Sequence, residues 1–309
     1  MRIKEYRSHF IQELSPIYDE AEVESFFYLI LEDKRKLKRI DLALQNDLGF
    51  SENEIQNWNT IVDQLKQEVP IQYILGKTNF YGLNFEVNKN VLIPRPETEE
   101  LVDWIIESQK LEVQSRSFGK KSDFIGENWR VLDIGTGSCC VAISLAKHLQ
   151  NSQVFAIDIS EKALETAEKN AEKNNVSIHF IKTDILKCND LDELSNSSRS
   201  FGIELPTKYD IIVSNPPYVR NLEKAEIKKN VLDNEPHLAL FVDDNDALIF
   251  YKKIAELALK NLSKKGKLYF EINQYLGKET VELLTKMNFK NIELRKDIYG
   301  NDRMIRCEI

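Results

Sequence analysis

Apolar positions in residues 1 to about 70 recur at helical spacing. Val23, Phe26, Phe27, Ile30 and Leu31 fall on one face of a 3.6-residue period. Ser51 followed by Glu54 has capping-box spacing, and Ile55, Trp58, Val62 and Leu65 then form a second apolar stripe that Pro70 is expected to stop. No alternating segment intervenes, so residues 1–75 are expected to form a small helical bundle. Between Gly76 and Pro94 the period changes to two. Asn79 to Val87 alternates apolar and polar residues, Asn88-Lys89-Asn90 reads as a turn, and Val91-Leu92-Ile93 follows it. The pattern predicts a hairpin over 76–93 that links the bundle to the rest. Leu101, Val102, Ile105 and Ile106 mark a helix from Glu97, and the polar stretch 109–128, with Gly119 and Gly126, reads as a loop.

Beyond residue 129 strands and helices alternate. Arg130–Ile134, Val154–Asp158, Ile178–Ile181, Asp210–Ser214 and Lys267–Ile272 read as buried strands. Helices are expected over Val141–Leu149, Ser160–Asn174 and Leu248–Leu262. Alternation of this kind argues for right-handed crossovers and a mostly parallel sheet. Two further strands flank Tyr299-Gly300-Asn301-Asp302, and the serine-rich Ser195–Ser200 looks like a surface insertion. The whole of 94–309 is expected to form one α/β domain.

Composition narrows the functional classes. The 309 residues are 42% hydrophobic and 30% charged, a globular balance with enough apolar material for a sizeable core. A net charge of −8 withholds the broad positive field that phosphate binders carry. The basic cluster Lys34, Arg35, Lys36, Lys38 and Arg39 reads as a solvated helix face. No apolar run is long enough for a membrane span, and the first residues lack a signal-peptide core. Cys139, Cys140, Cys188 and Cys307 form no disulfide framework or Cys-x-x-Cys pair, and only four histidines accompany them. The expectation is a cytoplasmic, metal-free protein.

Two segments carry chemistry. Asp133-Ile134-Gly135-Thr136-Gly137-Ser138-Cys139 joins a buried strand to a helix, where glycine permits a sharp turn and close approach of a ligand to the backbone. Cys140 stands where a dinucleotide fingerprint needs its third glycine, so a pyrophosphate is disfavoured. Asp158 lies 23 residues after Gly135, a spacing that suits a carboxylate gripping a ribose diol. Alternatively, the glycines make only a tight turn and Asp158 caps the next helix. The second segment, Asn215-Pro216-Pro217-Tyr218, follows the fourth strand at the sheet edge where open α/β sheets bind ligands. The Asn215 side-chain oxygen and the Pro216 carbonyl are two acceptors suited to the two hydrogens of an –NH₂ group. Tyr218 offers a flat apolar face to a planar group.

Together these features resemble the class I S-adenosylmethionine-dependent methyltransferases that modify planar nitrogens. Gln72-Tyr73-Ile74-Leu75-Gly76, Phe80-Tyr81-Gly82, Ile93-Pro94-Arg95-Pro96-Glu97-Thr98-Glu99, Glu235-Pro236-His237-Leu238-Ala239-Leu240 and Gly300-Asn301-Asp302-Arg303 are similar to the protein-(glutamine-N5) methyltransferase family. The resemblance runs from about residue 70 to the end. It implies a Rossmann-like, mostly parallel seven-stranded sheet with a small N-terminal helical bundle that recognises the substrate. It further implies methyl transfer from S-adenosyl-L-methionine, leaving S-adenosyl-L-homocysteine, to the glutamine of the Gly-Gly-Gln motif of peptide-chain release factors, which modulates translation termination. In that reading Gly135, Thr136, Gly137, Ser138 and Cys139 cradle the methionine part and Asp158 takes the ribose. Asp184 takes the adenine amino group, Ile185 packs beside the ring, and Asn215 borders the cofactor. Asn215, Pro216, Pro217 and Tyr218 hold the acceptor amide, while Pro94, Arg95 and Glu97 border the substrate entrance. His237 more plausibly holds a loop than acts as a base. Cys139 departs from the glycine usual in the family.

Three rivals share parts of this pattern. A ribosomal-protein glutamine methyltransferase would carry every motif named. An adenine-N6 methyltransferase would share Asn215 to Tyr218 but should carry a basic recognition region, whereas residues 1–76 hold 9 basic and 14 acidic side chains. A non-enzymatic cofactor-binding module would keep Asp158 without needing the acceptor pair.

Overall fold

Helices α1 (Ile3–Leu14), α2 (Glu20–Arg35), α3 (Arg39–Leu44), α4 (Glu52–Lys66) and α5 (Ile71–Leu75) occupy the segment whose apolar period is helical. The computed structural model describes residues 1–45, 47–117, 128–191, 194 and 205–309. The capping box is formed: Glu54 N–H donates to Ser51 Oγ at 3.3 Å and Ser51 N–H to Glu54 Oε2 at 2.8 Å. Trp58 is the hub of this core, with Phe27 and Phe50 rings at 5.0 Å and Tyr6 and Phe10 edge-on. Pro70 does not stop α4, which ends at Lys66; it caps the start of α5 instead, where a missing N–H costs nothing. Met1–Lys77 forms one compact unit, and it includes a segment far away in sequence, Lys228–Asn234. The other unit is Thr78–Ile227 with Glu235–Ile309.

At the boundary of the two units the chain forms β1 (Lys77–Phe80), followed by β2 (Leu83–Glu86). The expected turn at 88–90 is not the hairpin turn. The chain reverses at Tyr81 and Gly82, with φ of 47° and 73°, the left-handed pair that a two-residue hairpin needs. Asn88 instead accepts the Asn90 N–H at 2.9 Å, and 91–93 forms no strand. Helix α6 (Pro96–Ser117) extends through 109–117, which had read as loop. The stretch contains good helix formers such as Gln109, Lys110, Leu111 and Glu112, which a reading by polarity alone passes over. The remainder of that stretch, with Gly119 and Gly126, lies outside the described residues, as does Ser195–Ser200.

There follow β3 (Trp129–Ile134), α7 (Cys140–His148), β4 (Ser152–Asp158), α8 (Glu161–Lys173), β5 (Ile178–Lys182) and β6 (Tyr209–Ser214). The short strands β7 (Val219–Arg220) and β8 (Phe241–Val242) flank α9 (Lys229–Asn234). The chain closes with α10 (Ile249–Asn261), β9 (Leu262–Glu271), α11 (Gly277–Lys286), β10 (Lys290–Lys296) and β11 (Asp302–Glu308). Seven strands form one sheet in the order β10-β11-β9-β6-β3-β4-β5, and β11 runs opposite to the other six. Strand β9 starts earlier than the sequence suggested, because Leu262 already pairs with Tyr209 across an irregularity in register.

Side chains alternate between two cores. Val131, Ile211, Val213 and Tyr269 face α6, α7 and α8, while Leu132, Ile212, Leu268 and Phe270 face α10 and α11. Both faces are covered, so these strands read as continuous apolar runs. The hairpin is bolted to α8: buried Asn170 accepts the Glu86 N–H at 2.6 Å and donates to the Glu86 and Ser138 carbonyls at 3.0 Å. Among the described residues no helix is long and apolar enough to cross a membrane.

The irregular start of β9 generates a prediction. A Cβ at Gly266 would sit 2.8 Å from the Tyr209 carbonyl oxygen, so backbone must move. Gly266→Ala should lose about 1–3 kcal/mol of stability. A urea midpoint equal to wild type would contradict this packing.

Candidate active site

The strands β3 and β6 lie side by side at the point where the sheet order reverses, and Ile134 pairs with Ser214 at their ends. Ser214 Oγ donates to the Ile134 carbonyl at 2.6 Å. The two loops that follow therefore leave the sheet together.

The first loop turns through Gly135 and Gly137, with φ of 78° and 54°. Gly135 and Thr136 N–H both donate to the Ile157 carbonyl, at 2.8 and 2.9 Å, which stitches the loop to the end of β4. A Cβ at either glycine would meet no protein atom within 4 Å, and both residues line an open cavity. The loop backbone is thus bare toward space that a ligand can occupy. Cys139 also has positive φ, 68°, as the N-cap that precedes α7. A side chain pays strain there that glycine would not. Its thiol is turned into the core, where burial pushes its pKa well above the ordinary range. Cys139 does not line the cavity; Cys140 does.

Acidic groups crowd the loop. Asp158 accepts the Gly137 N–H at 2.9 Å on one oxygen and the Ser160 N–H at 2.8 Å on the other. The Ile159 N–H also acts on the carboxylate, and acceptor capacity still remains for a ligand hydroxyl. Burial raises its pKa despite these donors. Asp133, fully buried at the end of β3, takes the Thr136 hydroxyl at 2.6 Å, and burial pushes it up to about 7. Asp184 caps a 3₁₀ turn, accepting the Leu186 N–H at 3.1 Å, and it also lines the cavity.

The second loop is tied down at several points. Asn215 Nδ2 donates to Thr98 Oγ1 at 3.3 Å, and Thr98 Oγ1 donates to Glu271 Oε2 at 2.6 Å. Tyr218 Oη donates to Glu271 Oε1 at 3.1 Å. The Tyr218 carbonyl accepts from Asn273 Nδ2 at 2.9 Å. Arg95 pairs with buried Glu235 at 2.6 Å, and Glu235 also accepts the Ile93 N–H at 3.2 Å. Glu235 thereby gives the Glu-Pro-His-Leu motif its structural purpose. His237 is exposed and packs edge-on to Phe241.

One cavity of about 300 Å³ collects most of the residues singled out from sequence. Gly135, Thr136, Gly137, Ser138, Asp158, Asp184, Ile185, Arg95, Asn215, Pro216 and Pro217 line it. Cys139, Tyr218 and Glu97 do not. The Tyr218 ring packs on the core, held by its hydroxyl, and so does not present the expected flat face to the cavity. Sequence reasoning passed over Thr98, Asp133 and Glu271. The first two sit inside motifs quoted above, whereas Glu271 has no local signal beyond an acid at the end of an apolar strand.

Comparisons with known proteins agree with this architecture. A family model described as PrmC N-terminal domain matches residues 5–76, and one described as Methyltransferase domain matches 125–299. The release factor glutamine methyltransferase of Flavobacterium psychrophilum is 59% identical over 306 residues, covering 99% of both chains. That of Bacteroides thetaiotaomicron is 41% identical over 294 residues, covering 95% of both. A crystal structure of the hMettl16 catalytic domain in complex with a MAT2A 3'UTR hairpin aligns with a TM-score of 0.52 at 19% identity, covering 92% of this chain and 90% of that one. At that identity the likeness concerns the fold alone.

The raised pKa of Asp133 sets a pH dependence. The fold favours the neutral acid, so its stabilising contribution is complete below the ordinary aspartate pKa near 4 and is lost as pH rises to about 7. Burial shifts Asp158 and Glu271 in the same direction. Asp133→Asn cannot ionise. Its stability relative to wild type should rise by about 1–3 kcal/mol between pH 5 and pH 8 in urea denaturation. A difference that stays flat across that range would show that Asp133 does not titrate there.

Proposed function

This chain belongs to the release factor glutamine methyltransferase family, and on that footing we propose that it methylates the side-chain amide nitrogen of the Gly-Gly-Gln glutamine of peptide-chain release factors. The observation that carries the reading is the meeting, in one cavity, of the bare glycine loop, Asp158 and the Asn215–Pro216 pair. S-adenosyl-L-methionine, when bound, supplies an electrophilic methyl group on a sulfonium sulfur. The residues present fit that group. Asp158 keeps acceptor capacity for a ribose hydroxyl, Asp184 has an acceptor for an adenine amino group, and Ile185 an apolar surface for a planar ring. Gly135 to Ser138 give the methionine part room against the main chain.

A glutamine amide nitrogen is a weak nucleophile because its lone pair is delocalised into the carbonyl. Asn215 Oδ1 and the Pro216 carbonyl are assigned to accept its two hydrogens. Fixed acceptors of this kind set the plane of the amide and bind more strongly as positive charge develops on nitrogen. Positioning supplies the rest, and no strong base is needed before transfer. Arg95, steadied by Glu235, borders the acceptor side of the cavity. Tyr218 serves by holding the loop and not by stacking on the substrate. The helical unit is assigned the recognition of the protein partner. The net charge of −8 supports a protein over a nucleic-acid substrate.

Mass spectrometry of a release factor incubated with the enzyme and labelled cofactor tests the reading. Label should appear on the Gly-Gly-Gln glutamine and vanish when that residue is changed; label on adenine of DNA or RNA would overturn it. Asn215→Ala should cost about 3 kcal/mol in transition-state stabilisation, roughly a hundredfold in kcat, with the fold intact. Asp158→Ala should weaken cofactor binding by about 1.5–3 kcal/mol in calorimetry. Unchanged affinity in a folded variant would remove Asp158 from the cofactor site.

A further inference from the structure

An asparagine side chain can present either its oxygen or its NH₂ to a ligand, and only one orientation accepts hydrogens from an amide. Thr98 decides which. Its hydroxyl has a single proton, and the 2.6 Å contact with Glu271 Oε2 consumes it. The lone pair left on Oγ1 can only accept, so the Asn215 atom 3.3 Å away must be the NH₂ group. Asn215 Oδ1 is then the atom left for the cavity. The orientation therefore traces back to the acceptor behind Thr98.

Glu271 is that acceptor. It ends β9, directly after Phe270, which pairs with Ser214 at the end of β6, so sheet register sets it beside Asn215. It is 1% exposed, and both its carboxyl oxygens receive hydroxyls, Thr98 on one and Tyr218 on the other. Burial raises its pKa, while the Thr98 and Tyr218 bonds and the nearby Arg303 guanidinium favour the charged form. Arg303 is in turn held at 3.0 Å by Asp297. Burying a carboxylate costs several kcal/mol, and packing alone does not call for one here.

We propose that Glu271 is a positioning residue for methyl transfer, acting through Thr98 to aim the Asn215 side-chain oxygen at the acceptor amide and through Tyr218 to hold the same loop. The inference rests on the reading of Asn215 as an amide acceptor. It adds that the acceptor is oriented by a relay that never touches substrate or cofactor through Glu271.

A double-mutant cycle on the full-length enzyme tests it, with single-turnover methylation of release factor read by mass spectrometry. Thr98→Val keeps the shape but can neither donate nor accept. It should lower the rate about 30-fold while the cofactor dissociation constant stays within about threefold. Thr98→Ser, which restores the hydroxyl, should recover the rate to within about threefold of wild type. In the Asn215→Ala background Thr98→Val should cost less than about twofold, because no amide remains to be oriented. Should Thr98→Val fail to fold, Glu271→Gln enters the same cycle, with an expected loss of about tenfold that likewise disappears without Asn215. Losses that multiply in the double variant, or a Thr98→Ser as slow as Thr98→Val, overturn the relay and leave the proposed function standing. An Asn215→Ala enzyme at full rate overturns the acceptor reading itself, and the relay with it.

Discussion

Everything at the cavity depends on two parallel strands ending at the same height. Ile134 and Ser214 are register partners, and the Ser214 hydroxyl closes on the Ile134 carbonyl. Slipping β6 by one residue would reverse every side chain along it, because the period is two. It would put Ile211 and Val213 in the core of Ile212 and carry Asn215 away from Thr98. The apolar alternation that fills two cores is thus also what brings the Gly135–Ser138 and Asn215–Pro217 loops within one small volume.

The cavity wall is expensive to fold. Asp133 and Asp158 in the wall and Glu271 just behind it are all acids whose pKa burial raises; each is answered by hydroxyl or N–H donors, and Arg303 acts on Glu271 as well. Such networks are rigid when every partner is present and costly when one is missing. A site designed only for stability would replace them with apolar residues. Their presence at the edge of an otherwise well-filled sheet is stability given up for fixed polar geometry. Cys139 adds a smaller charge of the same kind, a side chain in the left-handed region.

Much of this was legible in the sequence, for physical reasons. Strands buried on both faces show as unbroken apolar runs, and loops whose chemistry is local, such as Gly135–Ser138 and Asn215–Pro217, keep their meaning at short range. The failures share a cause. Nothing before Tyr81-Gly82 announces a left-handed tyrosine, because the hairpin is held by tertiary bonds such as the Tyr81 N–H to Glu99. The polar half of α6 resembles a loop until its helix propensity is weighed. Tyr218 looked like a stacking ring because its hydroxyl partner, Glu271, is distant in the chain. Thr98, Glu271 and Asn215 meet only once the sheet has formed, so no spacing rule could join them.

The assignment of Lys228–Asn234 to the helical unit has a consequence for how this protein could have been assembled and can be re-engineered. The chain passes between the units at three places, after Lys77, after Ile227 and after Asn234. A gene fusion with one breakpoint near Lys77 would deliver a catalytic unit still carrying a short helix, α9, whose packing partners had been left behind. It would also deliver a helical unit missing Asn234, which donates to the Glu68 carbonyl, and Lys229, which pairs with Glu68. A chimera exchanging the helical unit of two such enzymes therefore requires two coordinated grafts, the N-terminal segment and the seven residues 228–234 from the same parent.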